Sequence, residues 1–396
     1  MVTSNLPFRL PVYLDHHSTT PLDPRVLEAM LPYLKEDFGN ASSTDHVYGA
    51  RAAEAVETAR EKVARSLGAS PEEVVFTSGA TESDNLAVSG IVSRKDLPSA
   101  HFVTSTIEHK AVLDSFRALE REGASVTYLP VDREGFVSPE ALEAALTTRT
   151  KLVSVMWANN EIGTIQDVRA LASVAHKGGA LFHSDAAQAI GHVAISVDGA
   201  DVDLLSLSAH KLHGPKGVGG LFVRRRRRRV RLSPLLMGGG QERGLRSGTP
   251  NVPGVVGLGE ALSLADKDLG QEERRVARLR DQLERGLLEN GEVTVNGKRS
   301  NRLPQNLNAR VGDVDGKALI GATAHQLAFS ASSACSSQSV EPSHVLLAIG
   351  LSPTDAHQCV RFGLGRATTK EEVDFTIDTL RLNIKKLRRI AGRGSQ

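Results

Sequence analysis

Seven short β-rich runs separated by helix-like stretches occupy the first two thirds of the chain, and this alternation constrains the fold more than any other feature. The runs are EVVFTSG, HFVTST, SVTYLPV, KLVSVMWAN, ALFHSD, DLLSLSAH and GGLFV, starting at residues 73, 101, 125, 151, 180, 203 and 219. Amphipathic stretches such as SPEALEAALTT lie between several of them, and in this one Ser138 suits an N-cap and Pro139 the first helical position. Strands that alternate with helices predict an α/β domain with a largely parallel sheet.

The texture of the sequence changes after about residue 260. A highly charged helix, QEERRVARLRDQLERGLLEN, leads into a region that holds QNLNARV, SASSACSSQS and a last helix, EEVDFTIDTLRLNIKKLRRI. We therefore predict a large domain over residues 18–261 and a smaller α/β domain from residues 1–17 and 262–396. The smaller domain would hold a mobile cysteine loop at about residues 328–342.

Composition limits the classes of protein that the chain can belong to. Of its 396 residues, 40% are hydrophobic and 24% are charged, and the net charge is +2, so no general attraction to nucleic acid is expected. Two cysteines cannot form a disulfide framework, which favours a reducing compartment. The start, MVTSNLPFRLPVYLD, lacks the apolar core of a signal peptide, and no apolar run is long enough to span a bilayer. We expect a soluble cytoplasmic protein.

The run RRRRRRVR, from Arg224 to Arg231, has two interpretations. It could be a patch that binds RNA or a membrane surface. It could also be a solvated turn after the strand GGLFV. The flanking residues lack the interleaved aromatic side chains on which nucleic-acid bases stack, so we favour the turn.

Candidate ligand-binding groups follow the predicted strands, at the edge where parallel sheets bind ligands. SGATESDN, residues 78–85, could bind a phosphate at a helix N-terminus, or could be an ordinary helix start. Asp185 could pair with a protonated ring nitrogen, or could cap a helix. Lys211 could form a Schiff base with a carbonyl, or could be a surface lysine. Pyridoxal phosphate requires all three groups, and their joint presence favours the functional interpretation.

The chain resembles a known family over nearly its whole length. The motifs are FTSGATESDN, EHKAVLD, NNEIGTIQD, AHKLHGPKG, GGGQERGLRSGT, SSACSS and VRFGLGR. They are similar to those of the NifS/IscS-type cysteine desulfurases, pyridoxal-phosphate enzymes of the class V aminotransferase group with the type I fold. The resemblance implies a mainly parallel seven-stranded sheet, a smaller α/β domain and a homodimer. It also implies conversion of L-cysteine to L-alanine, with the sulfur left as a persulfide on an active-site cysteine.

The resemblance assigns roles by position. Lys211 would hold the cofactor as a Schiff base, Asp185 would pair with the pyridinium nitrogen, and His109 would stack over the ring and move protons. The implied cofactor-binding set is Ala80, Thr81, His109, Asn160, Asp185, Gln188, Ser208, His210, Lys211 and Thr249, the last from the other subunit. Arg361, with Asn160, would bind the substrate, because a guanidinium matches a carboxylate with two hydrogen bonds. We predict no metal site.

Cys335 lies in SASSACSSQS, where nearly every neighbour is small and hydroxylated. The resemblance makes it the thiol that attacks the substrate sulfur and carries the persulfide to an acceptor, and a loop of small polar residues would allow that movement. The alternative, an inert small apolar residue, fits these neighbours poorly. Cys359, beside an apolar strand, is predicted to be a buried packing thiol.

We predict a cysteine desulfurase whose sulfur-acceptor protein serves iron–sulfur cluster assembly or thiolation. A selenocysteine lyase and a class V aminotransferase are alternatives with the same fold, and an aminotransferase would not need Cys335. A non-catalytic RNA-binding or scaffold protein that uses Arg224–Arg229 is the alternative from another class.

Overall fold

A computed structural model describes residues 6–331 and 341–392. The strands are β1 Val12–Tyr13, β2 Val74–Thr77, β3 His101–Ser105, β4 Ser125–Leu129, β5 Thr150–Ser154, β6 Leu181–Asp185, β7 Leu204–Ser208, β8 Gly219–Val223, β9 Val293–Val295, β10 Asn306–Val311, β11 Leu327–Ala328, β12 Ser330–Ala331 and β13 Cys359–Gly363. The α-helices are α1 Pro24–Lys35, α2 Val47–Leu67, α3 Ala80–Gly90, α4 Lys110–Arg121, α5 Pro139–Ala145, α6 Val168–Lys177, α7 Val252–Leu288, α8 Gly316–Thr323, α9 His344–Ala348, α10 Pro353–His357 and α11 Lys370–Ile390.

The seven predicted runs form one seven-stranded sheet in the order β2-β8-β7-β6-β5-β3-β4. Strand β8 is antiparallel to both of its neighbours, and the pairings from β7 to β4 are all parallel. The prediction of an α/β fold with a mainly parallel sheet is therefore confirmed. The predicted cap of α5 is also confirmed, because the Ser138 hydroxyl accepts a hydrogen bond from the Ala141 amide at 3.1 Å.

Helices cover both faces of this sheet, and the residues of its inner strands are almost all buried. Leu152 and Leu204 face a core that includes residues of α3 and α4, whereas their sequence neighbours Val153 and Leu205 face a second core with residues of α2, α6 and the first half of α7. The alternation of side chains along each strand thus supplies both cores.

A second sheet, β12-β13-β10-β9, is antiparallel and has its own core. Helix α7 contributes to both cores, because Val255 and Leu258 lie in the core of the large sheet and Leu283 and Leu287 in that of the small one. The predicted boundary between residues 261 and 262 thus falls inside a continuous helix, and the domain division remains a prediction.

Some arginines of the run form ion pairs within the fold, whereas others lie exposed at the surface. Arg224 is buried, donates to the Val202 carbonyl at 2.7 Å and pairs with Asp198 at 2.7 Å. Arg228 pairs with Asp203 at 3.0 Å. The interpretation of the run as a solvated turn is therefore wrong for Arg224, whose partners lie more than 20 residues away in sequence. The exposed members are Arg226, Arg227, Arg229 and Arg231.

Two further expectations concern Cys359 and the membrane. Cys359 is buried, and burial raises the pKa of its thiol to about 12, so the prediction of a packing thiol is confirmed. In residues 6–331 and 341–392, no helix combines the length and the apolar character that crossing a bilayer requires.

Gly219 is predicted to be intolerant of a side chain. A Cβ atom there would lie 2.5 Å from the Leu207 carbonyl oxygen and 2.6 Å from the Gly79 Cα, whereas a Cβ on Gly220 would meet nothing closer than 3.5 Å. We expect Gly219→Ala to lower the free energy of unfolding by about 1–3 kcal/mol, as overpacking does. Gly220→Ala, the matched control, should change it little. Denaturant unfolding of both variants measures the difference, and equal effects would contradict the packing described.

Candidate active site

A cavity of about 500 Å³ opens at the carboxyl edge of the large sheet. The predicted site residues that line it are Ala80, Thr81, His109, Asn160, Asp185, Gln188, Ser208, His210 and Lys211. Residues that the sequence did not single out also line it, among them Ser18, Thr19, Met156 and Lys216. Thr249 is exposed and is not among the lining residues. Cys335 lies outside the described residues.

The phosphate-binding candidate is the N-terminus of α3. Gly79 precedes the helix with φ +153°, and a Cβ atom on it would lie 4.0 Å from the Ser208 hydroxyl at the end of β7. Amides in the first turn of a helix have no acceptor within the helix, so those of Ala80 and Thr81 suit an anion. The cavity therefore has amide and hydroxyl donors at one end.

The only acidic group in this first turn, Glu82, is itself paired. Its carboxylate accepts hydrogen bonds from the Ser78 amide at 2.8 Å and from Arg246 Nε at 2.9 Å. Burial raises the pKa of Glu82, but these two partners outweigh burial and lower it. The negative charge of Glu82 is thus compensated and does not oppose an anion at the helix start.

Asp185 ends β6 and lies at the cavity with 7% of its surface exposed. Its Oδ1 accepts from the Ala187 amide at 2.9 Å. Burial raises the pKa of Asp185, while the Ala187 amide, the positive charge of Lys211 and, in its protonated form, His109 act against this. A cation bound in the cavity would stabilise the ionised carboxylate further.

His109 precedes α4 and caps it, because its Nδ1 accepts from the Ala111 amide at 3.2 Å. That contact leaves the proton of the neutral ring on Nε2. Burial lowers the pKa of His109, so the neutral form is favoured. A neutral imidazole at the cavity wall can stack on a planar ligand.

Lys211 reaches the N-terminal segment of the chain. Its Nζ donates to the carbonyl oxygens of His17 and of Ser18, the second at 2.9 Å. The His17 Nδ1 and the Gln188 Oε1 are 2.8 Å apart, and Gln188 Nε2 donates to the His17 carbonyl at 3.0 Å. Sequence reasoning did not identify His17 or Ser18, which lie in the stretch YLDHHSTT at residues 13–20.

Arg361, on β13, lies behind the cavity wall and is 3% exposed. Its Nη1 donates to the Asn160 carbonyl at 2.9 Å, and its Nη2 lies 3.0 Å from the Ser18 hydroxyl and 3.1 Å from Asp15 Oδ1. Both Asn160 and Ser18 line the cavity. The guanidinium is thus adjacent to the space where a substrate carboxylate would lie.

The residues present fit pyridoxal phosphate. Amides and a hydroxyl suit its phosphate, a buried carboxylate suits its ring nitrogen, a histidine ring suits its face, and a lysine amine suits its aldehyde. Together with the mainly parallel seven-stranded sheet, they define a pyridoxal-phosphate enzyme of the type I fold.

Comparison with known proteins gives the family. A family model described as Aminotransferase class-V matches residues 12–375. The chain therefore belongs to the class V aminotransferase family, whose members depend on pyridoxal phosphate. The predictions of family, fold and cofactor are confirmed.

Individual relatives agree with this assignment. "Cysteine desulfurase IscS" of Anaeromyxobacter sp. (strain Fw109-5) is 52% identical over 384 residues, which cover 97% of this chain and 95% of that one. The protein of the same name from Methylococcus capsulatus is 49% identical over 383 residues, covering 97% and 94%. A solved structure titled "NIFS-LIKE PROTEIN" superposes with a TM-score of 0.89 at 38% identity, covering 95% of this chain and 100% of that one. Another, "SspA in complex with cysteine", gives 0.78 at 38% identity, covering 89% and 98%.

Histidines around the site predict acid sensitivity. Burial lowers the pKa of His192, whose Nε2 lies 3.0 Å from the Lys211 carbonyl oxygen, to about 4, and burial likewise lowers the pKa of His210 to about 4. Between pH 6.5 and 4 the unfolded chain binds protons that the folded chain does not, so stability falls as the pH falls.

The His192→Gln variant tests this expectation. In that pH window the variant should take up one proton fewer on unfolding than the wild type does. Its folding equilibrium constant should therefore depend less steeply on pH, by a factor of about ten per pH unit at most. Denaturant unfolding at several pH values measures this. An unchanged slope would contradict the assignment of a neutral His192.

Proposed function

We propose that the protein is a pyridoxal-phosphate-dependent cysteine desulfurase. It converts L-cysteine to L-alanine, passes the sulfur to Cys335 as a persulfide and then delivers it to an acceptor protein. The observation that supports this most strongly is the convergence of Lys211, Asp185, His109 and the N-terminus of α3 on one cavity. The substrate is inferred from the relatives named cysteine desulfurase, which are about 50% identical to this chain over nearly its full length.

We assign the cofactor contacts as follows. The amides of Ala80 and Thr81 and the Ser208 hydroxyl bind the phosphate, with His210 at the same end, and Asp185 keeps the ring nitrogen protonated. Asn160 and Gln188 contact the ring on its hydroxyl side. When bound, the cofactor supplies an electron-withdrawing ring that stabilises negative charge on the substrate carbon next to the amino group.

Lys211 and His109 are the proton-handling groups of this proposal. The carbonyl oxygens of His17 and Ser18 orient Lys211 Nζ at the cavity, where it can bond covalently to the cofactor or exchange a proton with the substrate. His109 has its Nδ1 engaged with the Ala111 amide, so Nε2 is the atom that can donate a proton.

Arg361 binds the substrate carboxylate. Its guanidinium is fixed by the Asn160 carbonyl and by Ser18, and the substrate carboxylate would replace Asp15 as its anionic partner. A fixed guanidinium loses little side-chain freedom on binding, which makes it a precise receptor for the carboxylate.

Sulfur transfer belongs to Cys335. Its thiolate attacks the sulfur of the bound cysteine, a sulfur–sulfur bond forms and the carbon–sulfur bond breaks. The electron pair stays with the carbon fragment, which takes up a proton and leaves as alanine. The product on the enzyme is the Cys335 persulfide, so each turnover moves one sulfur atom without an external oxidant.

The remaining proposals concern the oligomeric state, the sulfur acceptor and the cellular location. We propose a homodimer in which Thr249, exposed in one chain, reaches the phosphate bound by the other. The persulfide would pass to a scaffold or sulfur-carrier protein for iron–sulfur cluster assembly or thiolation. We propose a cytoplasmic location, which the presence of only two cysteines supports.

Turnover with L-cysteine tests the function. The purified protein should be yellow and should release alanine and, with a thiol reductant, sulfide. Cys335→Ser should keep the colour and lose at least 99% of sulfide release, because the acceptor of the sulfur is gone. Cys359→Ala, the matched control, should retain both. Lys211→Ala should change the colour and abolish turnover.

Two outcomes would change the assignment. Full turnover by Cys335→Ser would indicate an aminotransferase instead. A colourless protein that takes up no pyridoxal phosphate would favour the non-catalytic alternative. Competition between cysteine and selenocysteine separates a desulfurase from a selenocysteine lyase.

Arg361→Lys tests the substrate assignment. A lysine cannot reproduce the paired hydrogen bonds of the guanidinium, so we expect the KM for L-cysteine to rise about tenfold or more, with cofactor affinity retained. Arg310→Lys, on the neighbouring strand β10 where Arg310 pairs with Asp355, is the matched control and should leave KM unchanged. An unchanged KM in Arg361→Lys would contradict the assignment.

A further inference from the structure

Two buried carboxyl groups near Asp185 take no direct part in the proposed reaction. They are Asp84, on α3, and Glu108, which follows β3, and both are 0% exposed. Neither oxygen of Asp84 has a partner with hydrogen-bonding geometry among the described residues, and neither has the Oε2 of Glu108. Charged carboxylates are almost never buried in this way.

The surroundings of Asp84 contain a histidine and a hydroxyl. Asp84 Oδ1 lies 3.7 Å from His183 Nε2 and near the Ser206 hydroxyl. The ring of His183 lies between hydroxyl groups, with Ser154 Oγ 2.8 Å from Nδ1 and Ser206 Oγ 3.0 Å from Nε2. Burial lowers the pKa of His183 to about 3, so it is not the cation that an ionised Asp84 would need.

Only one of the two side-chain oxygens of Glu108 lies in polar surroundings. Its Oε1 accepts hydrogen bonds from the Ser105 hydroxyl at 2.5 Å and from the Met156 amide at 3.0 Å. Burial, together with the charge of Asp185, nevertheless raises the pKa of Glu108 to about 8. Two hydrogen bonds to one oxygen therefore do not compensate for the loss of water.

Three mutually repelling carboxylates cannot all be ionised in this space. Taking each charge out of water is strongly unfavourable. The dipole of α3 would favour an ionised Asp84 only weakly, because that effect fades beyond the first turn and Asp84 is the fifth residue of the helix. Burial therefore dominates. The positive charge that acts on Asp185 is that of Lys211.

We propose that Asp84 and Glu108 are positioning residues that remain neutral acids at physiological pH. Asp185 is then the single negative charge of the cluster, and that charge faces the ring nitrogen of the cofactor. If Asp84 were ionised, it would raise the pKa of Asp185 and weaken that pairing. The role toward the cofactor rests on the proposed function, whereas the protonation state does not.

The pH dependence of folding tests the protonation directly. Above pH 5 both carboxyls are ionised in the unfolded chain, while the folded chain keeps their protons. Stability is therefore lost as the pH rises. Relative to Asp84→Asn or Glu108→Gln, whose amides imitate the neutral acids, the folding equilibrium constant of the wild type should fall about tenfold per unit between pH 5 and 7.

A matched control uses a carboxyl group that is ionised in the folded chain. The hydrogen bond from the Ser138 hydroxyl lowers the pKa of Glu140, so Glu140 is ionised in both states above pH 5. Glu140→Gln should therefore parallel the wild type over this range. Parallel curves for Asp84→Asn and Glu108→Gln as well would overturn the proposal.

Infrared spectra of the full chain give a second readout that needs no variant to fold. The wild type should show a protonated carboxylic acid band at pH 7, and each variant that folds should lose part of it. Absence of the band in the wild type would overturn the proposal. Both measurements are made without cofactor, so they stand even if the protein proves to bind none.

Cofactor affinity tests the positioning role. Asp84→Asn and Glu108→Gln should bind pyridoxal phosphate within about threefold of the wild type and keep its absorption spectrum. Asp185→Asn, the same change at the carboxylate that pairs with the ring, should lose at least a hundredfold. A tenfold change in Asp84→Asn would indicate that Asp84 is charged and would overturn the proposal.

Discussion

Strands β5, β6 and β7 run parallel, and their carboxyl ends therefore open onto the same edge of the sheet. The register sets Asp185 beside Ser206, and the chain leaves β7 through Ser208 toward Lys211. A carboxylate at this position is 7% exposed, because the sheet is covered on both faces. Because the Asp185 carboxylate is buried, its charge interacts with a ligand in the cavity and is little screened by water.

The N-terminal segment joins the two sheets at this edge. The amide of His16 donates to the Gly363 carbonyl of β13, and Thr20 contacts the carbonyl of His210 through both its amide and its hydroxyl, each at 2.9 Å. The same segment accepts from Lys211 and contacts Arg361. Lys211 follows β7 of the large sheet and Arg361 lies in β13 of the small one. The segment therefore fixes the distance between the group that would hold the cofactor and the group that would hold the substrate.

Local sequence patterns predicted the seven strands because short β-rich runs alternate with amphipathic helical stretches. Part of the cavity lining could also be predicted, since Asp185 ends a strand, Lys211 follows one closely and the motif AHKLHGPKG includes Lys211. The contacts of buried charged residues that do not line the cavity could not be predicted. Asp84 lies in the quoted SGATESDN, but its contact with His183, a hundred residues away, depends on how α3 packs on the sheet. Arg224 was misinterpreted for the same reason, because its partners are remote in sequence.

Trapping of the cofactor on the protein tests the central claim most directly. Reduction of the yellow protein with borohydride converts the bond between cofactor and lysine into a stable amine, and peptide mass spectrometry then locates the modified residue. The account predicts a pyridoxyl group on Lys211 alone. Modification of another lysine, or no modification in protein that has bound the cofactor, would contradict the site described.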